Sequence, residues 1–409
     1  MSYLPTITNA LVMPGVSAVR SELSLLVGLV IDDRRIAWGE CTFAADSEQD
    51  GRLNESIHIL QEIIIPALMG QPLGNVIALM EQIDQMRHDV TVVRPITAET
   101  PPPKRSRREL FTSLINPEQE IREVVERPLP PELRQGISQA LFSAAALVED
   151  STIVEAVARI YSLQPAESPL PIHLIFDDLP NPDDPALAQI TAASYGLTIN
   201  DDDPVKELGS GGVRLQNRVR QLKNRVVRYL NNDYPAQQTT GFLFDLKGGY
   251  GMLYEQNTGH ILGALNGLEQ VVKPYPLRLV DPVIMDDRAG QMAIMKELQN
   301  FIRLRKMKTG LIARSWIETA EDIHALANND CCGGVLLDMT QLGTLHHTVE
   351  LALAAQERNL EVILTGVQGV AAVHTALALN PTLLAIKVGA VSAVSDEINR
   401  TLAWLAYSG

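Results

Sequence analysis

Beyond about residue 170 the chain falls into eight short apolar runs, and nothing else constrains its fold as strongly. They are "PIHLIF" (171–176), "YGLTI" (195–199), "GFLFDL" (241–246), "PLRLVD" (276–281), "GLIARS" (310–315), "GGVLLDM" (333–339), "LEVILTG" (360–366) and "LLAIKVG" (383–389). Amphipathic helical stretches follow nearly all of them, and most runs recur at intervals of 23–35 residues. Runs of this length with helices between them are buried parallel strands, and eight of them predict a closed (β/α)8 barrel in preference to an open sheet. In such a barrel the chemistry sits at the C-terminal ends of the strands. The residues that close each run are therefore the ones to read for function.

The preceding 150 residues have a different pattern. "SELSLLVGLVIDDRRIAWGECTF" (21–43) is two strands around a polar "DDRR" turn, and helical periodicity runs from about Glu55 to Met86 through Ile57, Leu60, Ile63 and Ile64. A helix rich in small residues (Ala140, Ala144, Ala145, Ala146) is predicted over 132–149. The division expected is an N-terminal α+β capping domain over residues 1–150 and the barrel over 151–409. Between Val92 and about Pro131 lie "TPPPKRSRREL" and "ERPLPPEL", which no regular element accommodates as they stand. This stretch is read as an exposed excursion with a short helix at 116–126. Its cluster Lys104, Arg105, Arg107 and Arg108 reads as a solvated loop before it reads as a targeting or nucleic-acid patch. The second barrel run is followed by one long helix, about 205–231, with Arg214, Arg218, Arg220, Lys223, Arg225 and Arg228 as a solvated basic face. "GSGGV" (209–213) near its start reads as a loop or lid before an anion-binding turn.

A net charge of −15 in 409 residues argues against nucleic acid as a partner. Three cysteines, Cys41, Cys331 and Cys332, lack disulfide or zinc spacing and read as reduced thiols. The N-terminus has no basic segment leading into an apolar core. The longest apolar stretch, residues 57–70, is broken by Gln61, Glu62 and Pro66, too short a run for a bilayer. A cytoplasmic protein with no membrane partner is expected.

Several words of the sequence, in order, carry a resemblance. "IAWGECTFAADSEQDGR" (36–52), "LRQGISQALFSAAA" (133–146), "FDLKGGYG" (244–251), "PLRLVDPVIMDDR" (276–288), "IARSWIETAEDI" (312–323) and "VSDEINRTLAWL" (394–405) resemble segments of the enolase superfamily. Within it they are most similar to the methylaspartate ammonia-lyases. The resemblance runs along nearly the whole chain and implies a capping domain, a barrel and a homodimer. It also implies Mg²⁺ bound by three carboxylates on the third, fourth and fifth barrel strands, holding a substrate carboxylate and spreading enolate-like charge. A lysine on the sixth strand and a histidine on the second would move protons, and ammonia would leave to give mesaconate.

Carried over residue by residue, most of these groups are replaced. The third-strand ligand falls on Asp245. The fourth-strand glutamate falls on Val280, with Asp281 next to it but turned to the other face of a strand. The fifth-strand aspartate falls on Arg314, and the glutamate after it on Ser315. The sixth-strand lysine falls on Asp338 and the second-strand histidine near Gly196. Polar groups of the seventh strand fall on Val367 and Gln368.

Two functional readings follow. In the first the chain is a pseudoenzyme with a structural, regulatory or partner-binding role and no cofactor, in which Arg314 stands as the central positive charge between Asp245 and Asp338. In the second it is a metal-dependent carbon–nitrogen lyase with a rebuilt Mg²⁺ site of Asp245, Asp281 and Asp338. The base would then be His173, Lys247 or Lys387. His173 reads as a hydrogen-bonded barrel residue before a base, and Lys247 as a solvated or paired lysine; Lys387, a lysine within an apolar strand, stands out most but also reads as structural. The adjacent His346 and His347 point about 100° apart on a helix and do not form a ligand pair. A protein partner held through the 92–131 excursion is a third expectation, beside the homodimer.

Overall fold

Three antiparallel strands open the chain: β1 (Ile7–Val16), β2 (Leu23–Ile31) and β3 (Arg35–Thr42), in the order β1-β2-β3. The structure is a computed structural model that describes residues 4–16, 23–43, 49–95, 120–181, 192–199, 203–230 and 240–408. Asp32 and Asp33 turn β2 into β3 with φ of 51° and 57°, a left-handed conformation that aspartate tolerates. Alternate residues Leu25, Val27, Leu29 and Ile31 of β2, with Ala37 and Cys41 of β3, are buried on one face. Helices α1 (Gln49–Ile59), α2 (Ile65–Leu68) and α3 (Val76–Gln85) follow, α1 and α2 being joined by a π-helical turn at Leu60–Ile64.

The stretch after α3 differs from its sequence reading. β4 (Arg87–Pro95) and β5 (Glu120–Pro128) form a two-stranded antiparallel ribbon paired from Arg87↔Pro128 to Pro95↔Glu120. The short helix expected at 116–126 is thus a strand from Glu120 onward. The basic cluster Lys104–Arg108 lies outside the described residues.

Helix α4 (Pro131–Val148) begins with proline at its first turn and lies on β3. Its close approach depends on two glycines: a Cβ on Gly136 would lie 2.2 Å from Cys41 Sγ, and one on Gly39 would lie 2.0 Å from the Gly136 carbonyl oxygen. Helix α5 (Ile153–Tyr161) starts with a capping box between Thr152 and Glu155 and leads into the barrel.

The barrel is closed and wholly parallel: β6 (Ile172–Phe176), β7 (Ser194–Leu197), β8 (Gly241–Asp245), β9 (Leu277–Val280), β10 (Thr309–Ala313), β11 (Gly334–Asp338), β12 (Glu361–Thr365) and β13 (Leu383–Lys387), with β13 pairing back to β6. The eight apolar runs are these eight strands. The helix expected over 205–231 is two, α6 (Pro204–Leu208) and α7 (Val213–Leu230). Gly209, Gly211 and Gly212 all have positive φ, and no helix continues through them. Outside the barrel lie α8 (Gly249–Leu253), α9 (Thr258–Val272), α10 (Arg288–Leu304), α11 (Ala320–Asn328), α12 (Leu345–Glu357), α13 (Val370–Leu379) and α14 (Val391–Ser408).

Inside the barrel Leu243, Val280, Ile312, Leu336, Ile363, Leu383 and Ala385 pack as a separate apolar cluster. Below them Arg278 and Glu361 pair in two-pronged fashion, at 2.6 and 2.8 Å. The cap is fastened to the barrel by polar contacts. Asp84 of α3 accepts from Arg134 (3.0 Å) and from the Thr344 hydroxyl (2.5 Å), and Gln139 of α4 donates to the Gln368 carbonyl (3.1 Å). Among the described residues no helix is long and apolar enough to cross a membrane.

Candidate functional site at the barrel mouth

Side chains two residues apart on a strand share a face. Leu243, Ile312, Leu336, Ile363 and Ala385 point into the barrel, so Asp245, Arg314, Asp338, Thr365 and Lys387 stand one layer above them at its mouth. Arg314 lies one residue past the end of β10. Its Nη1 donates to Asp245 Oδ2 at 2.8 Å, and its Nη2 lies 3.6 Å from Asp338 Oδ2. Burial works against the guanidinium charge, but Asp245 and Asp338 outweigh it and hold Arg314 protonated above its ordinary value. Asp338 Oδ1 accepts from the Thr340 amide (3.1 Å) and hydroxyl (2.6 Å). Gly366, with φ of 68°, leaves room for that carboxylate: a Cβ there would lie 2.3 Å from Asp338 Oδ1.

Asp281 has a different place. The chain turns at φ of 39° immediately after β9, and the carboxylate is buried against the start of the next loop. Asp281 Oδ1 accepts from the Arg314 amide at 3.1 Å, and Oδ2 from the Ser315 amide and hydroxyl at 2.7 and 2.6 Å. It clamps the backbone that carries Arg314. Burial pushes its pKa up to about 6, against the pull of those three donors. A carboxyl whose pKa is higher in the folded chain binds more protons there than when unfolded. Its ionisation therefore subtracts stability as pH rises from about 4 to about 6. Asp281→Asn is expected to flatten that part of the stability profile, measured by urea unfolding across this range.

These residues do not fit a divalent cation. Mg²⁺ requires near-octahedral oxygen ligation. Here one oxygen of Asp245 is held by a guanidinium, both of Asp281 are held by backbone and hydroxyl donors, and Val280 is a fully buried hydrocarbon. Among the described residues no three His, Cys, Asp or Glu side chains converge as a metal site. The set Asp245, Asp281 and Asp338 is therefore not assembled, because the turn after β9 aims Asp281 at amides.

The candidate bases are also accounted for. His173 is buried, with Nδ1 3.1 Å from Ser194 Oγ, and burial and the nearby Arg278 charge lower its pKa to about 3. It is neutral at ordinary pH and lines the floor of the mouth. Gly196 presents nothing, and a Cβ there would lie 2.3 Å from the Leu243 carbonyl oxygen and 2.8 Å from the His173 ring. Lys247 Nζ is 4.0 Å from Asp245 Oδ2, and Lys387 pairs with Asp177 at 3.0 Å on the lip. Val367 and Gln368 are buried toward the cap. His346 is buried, bonded to the Tyr161 hydroxyl at 2.7 Å and stacked on its ring, while His347 Nδ1 lies 3.9 Å from Glu350. The sequence reading missed Asp177, Thr340 and the clamp role of Asp281. The acidic pair after "PIHLIF" was a signal for the first, since it follows a barrel strand directly.

A cavity of about 250 Å³ opens at this mouth, with Asp245, Lys247, Arg314, Asp338, Thr340 and Lys387 among its walls. The family model for the methylaspartate ammonia-lyase C-terminus matches residues 198–407, from just after the second barrel strand into the last helix. The chain belongs to the methylaspartate ammonia-lyase family. Methylaspartate ammonia-lyase 2 of Carboxydothermus hydrogenoformans is 26% identical over 415 residues, covering 97% of this chain and 90% of that protein. The Mg complex of beta-methylaspartase from Clostridium tetanomorphum superimposes with a TM-score of 0.74 at 19% identity, covering 99% of this chain and 100% of that one. Muconate cycloisomerase from Pseudomonas fluorescens has the same overall fold at a TM-score of 0.57 and 14% identity, covering 93% and 86%. This family member thus shares the capping domain and barrel of these structures, with an arginine at the centre of its strand ends.

Proposed function

We propose that this member of the methylaspartate ammonia-lyase family does not carry out metal-assisted ammonia elimination and acts as a non-catalytic barrel with a structural, regulatory or partner-binding role. The observation that carries this reading is the Arg314 guanidinium, 2.8 Å from Asp245 and 3.6 Å from Asp338. Metal-assisted enolisation needs a cation that accepts a substrate carboxylate into its ligand shell. An arginine offers hydrogen-bond donors but no exchangeable coordination position. Proton abstraction beside a carboxylate also needs a base at the strand ends. The position implied for the lysine holds Asp338, which is tied to Thr340, and the one implied for the histidine holds Gly196.

Incubation of the purified protein with 3-methylaspartate, or with mesaconate and ammonium, is expected to give no turnover with or without Mg²⁺. Turnover at an ordinary enzymatic rate, on the order of 10 s⁻¹, would overturn the reading. A binding measurement complements it. Because a ligand that binds only the folded state raises the melting temperature, millimolar Mg²⁺ or Mn²⁺ is expected to leave this protein's melting temperature unchanged to within about 1 °C. A rise of several degrees would favour the rebuilt lyase site.

A further inference from the structure

A second cavity, of about 710 Å³, lies in the seam between the cap and the barrel. Arg314 and Asp338 line both this cavity and the mouth, so their side chains form the partition between the two. The cap wall includes Asp84 at the end of α3, Arg87 and Pro128 at the base of the β4–β5 ribbon, and Arg134 of α4. The barrel wall includes Trp316 and Ile317, which follow β10, and Leu342, which follows β11. A volume of this size suits a small-molecule site, where a few polar groups orient an otherwise apolar ligand.

The cap wall is rich in fixed donors. Two guanidinium groups close on the one residue Asp84. Arg134 Nη1 donates to Asp84 Oδ1 at 3.0 Å and its Nε to the Leu129 carbonyl at 3.1 Å. Arg87 Nη1 donates to the Asp84 and Met86 carbonyls at 3.1 and 3.0 Å. Gly343, with φ of 100°, makes room for this arrangement: a Cβ there would lie 2.4 Å from Arg134 Nη1. The acids of the wall already have partners. Asp84 accepts from Arg134 and Thr344, Asp338 faces Arg314 and Thr340, and Glu318 lies 3.5 Å from Arg288. Arg87 is held by carbonyls, which fix a guanidinium without cancelling its charge, and it forms no ion pair among the described residues. A guanidinium carries five N–H groups, so both forks keep donors beyond these bonds.

The barrel wall supplies the apolar half. Trp316 has φ of 64°, a conformation rare for a bulky residue and found often at ligand clamps. Its indole N–H donates to the Met285 carbonyl at 3.2 Å, which fixes the ring in the wall. Guanidinium forks match a carboxylate in two-pronged fashion, and an indole ring takes a flat apolar body. We propose that the seam cavity binds a small aromatic carboxylate, its charged end between Arg87 and Arg134 and its ring against Trp316.

The probes are 4-nitrobenzoate and its uncharged counterpart 4-nitrobenzamide. Calorimetric titration of the full chain is expected to show one saturable site for the carboxylate, with Kd at or below about 1 mM, an ordinary affinity for a ligand of this size. The amide should bind at least about tenfold more weakly, and Arg87→Ala should weaken the carboxylate by a similar factor. Arg87 is exposed, so its replacement leaves the fold intact. Nitroaromatic rings quench indole emission on contact, so the carboxylate should quench a saturable part of the tryptophan fluorescence. Trp316→Phe should remove that part and leave the emission of Trp38 and Trp404. Lys387→Ala, which alters the mouth and not the seam cavity, should leave Kd unchanged to within about twofold. Circular dichroism checks that each variant is folded. No saturable binding, equal affinity for carboxylate and amide, or an Arg87→Ala variant that binds like the parent overturns the proposal. So does saturable quenching that survives Trp316→Phe, or affinity lost in Lys387→Ala, since either places the probe elsewhere. The inference is independent of whether the barrel mouth is catalytic.

Discussion

Gly136→Val is expected to leave the chain largely insoluble or to lower its stability by at least about 4 kcal/mol. Helix α4 packs on the cap strand β3, and the two backbones meet where neither has a side chain. A Cβ at residue 136 would lie 2.2 Å from Cys41 Sγ and 2.9 Å from the Cys41 amide nitrogen, and one at residue 39 would lie 2.6 Å from the Ala140 nitrogen. The obstacles are mainly backbone, which cannot rotate aside as a side chain can. Separating the helix from the strand would also pull on Gln139, which donates to the carbonyls of both Glu40 and Gln368 and so ties cap strand, helix and barrel at one atom. Gly136→Ala is expected to fall between parent and valine variant. Soluble yield and thermal melts followed by circular dichroism measure the series. A valine variant that melts within a few degrees of the parent would show that the helix can shift.

Arg314→Ala is expected to cost about 1–3 kcal/mol. Removing one partner of a buried ion pair is costly because the other charges remain, and the partial exposure of this one reduces the cost. Two carboxylates at the mouth would lose the charge between them, with Asp281 close behind. The signature is non-additivity. The double variant Arg314→Ala/Asp245→Asn should be more stable than Arg314→Ala alone, because it relieves the repulsion that the first change creates. Arg314→Asp extends the test: with carboxylates at 245, 314 and 338, a cation becomes the natural neutraliser. That variant is expected to melt lowest without metal and to gain several degrees in millimolar Mg²⁺, where the parent gains none. Equal stability of the parent and all three variants would remove the guanidinium from its central place.

The barrel was legible because its strands are buried on both faces. Such strands are nearly continuous apolar runs, and glycine, proline and acidic residues mark their ends. The phase of the mouth was written in the same runs. Asp245, Arg314 and Asp338 each follow an inward apolar residue by two, so the fold carries them to one layer. The rest depended on information no local pattern holds. "EIREVVERP" is half charged, and residues 96–119 separate it in sequence from its partner strand, so its pairing could not be read from composition. "GSGGV" was read as a loop, but the amphipathic pattern on both sides of it hid that it divides the stretch into two helices. Asp281 was placed on the wrong side of its strand for a site, but its work as a backbone clamp follows from a single positive φ that no spacing announces.

The Asp245–Arg314–Asp338 arrangement has a consequence for how this barrel responds to its surroundings. A mouth neutralised by a dissociable ion changes its charge whenever the ion is scarce, chelated or replaced. Here the neutralising charge is attached to the main chain by a side chain and arrives with translation. If the proposed reading holds, the mouth should look the same in a chelator as in concentrated magnesium, a face whose charge is set by the chain itself.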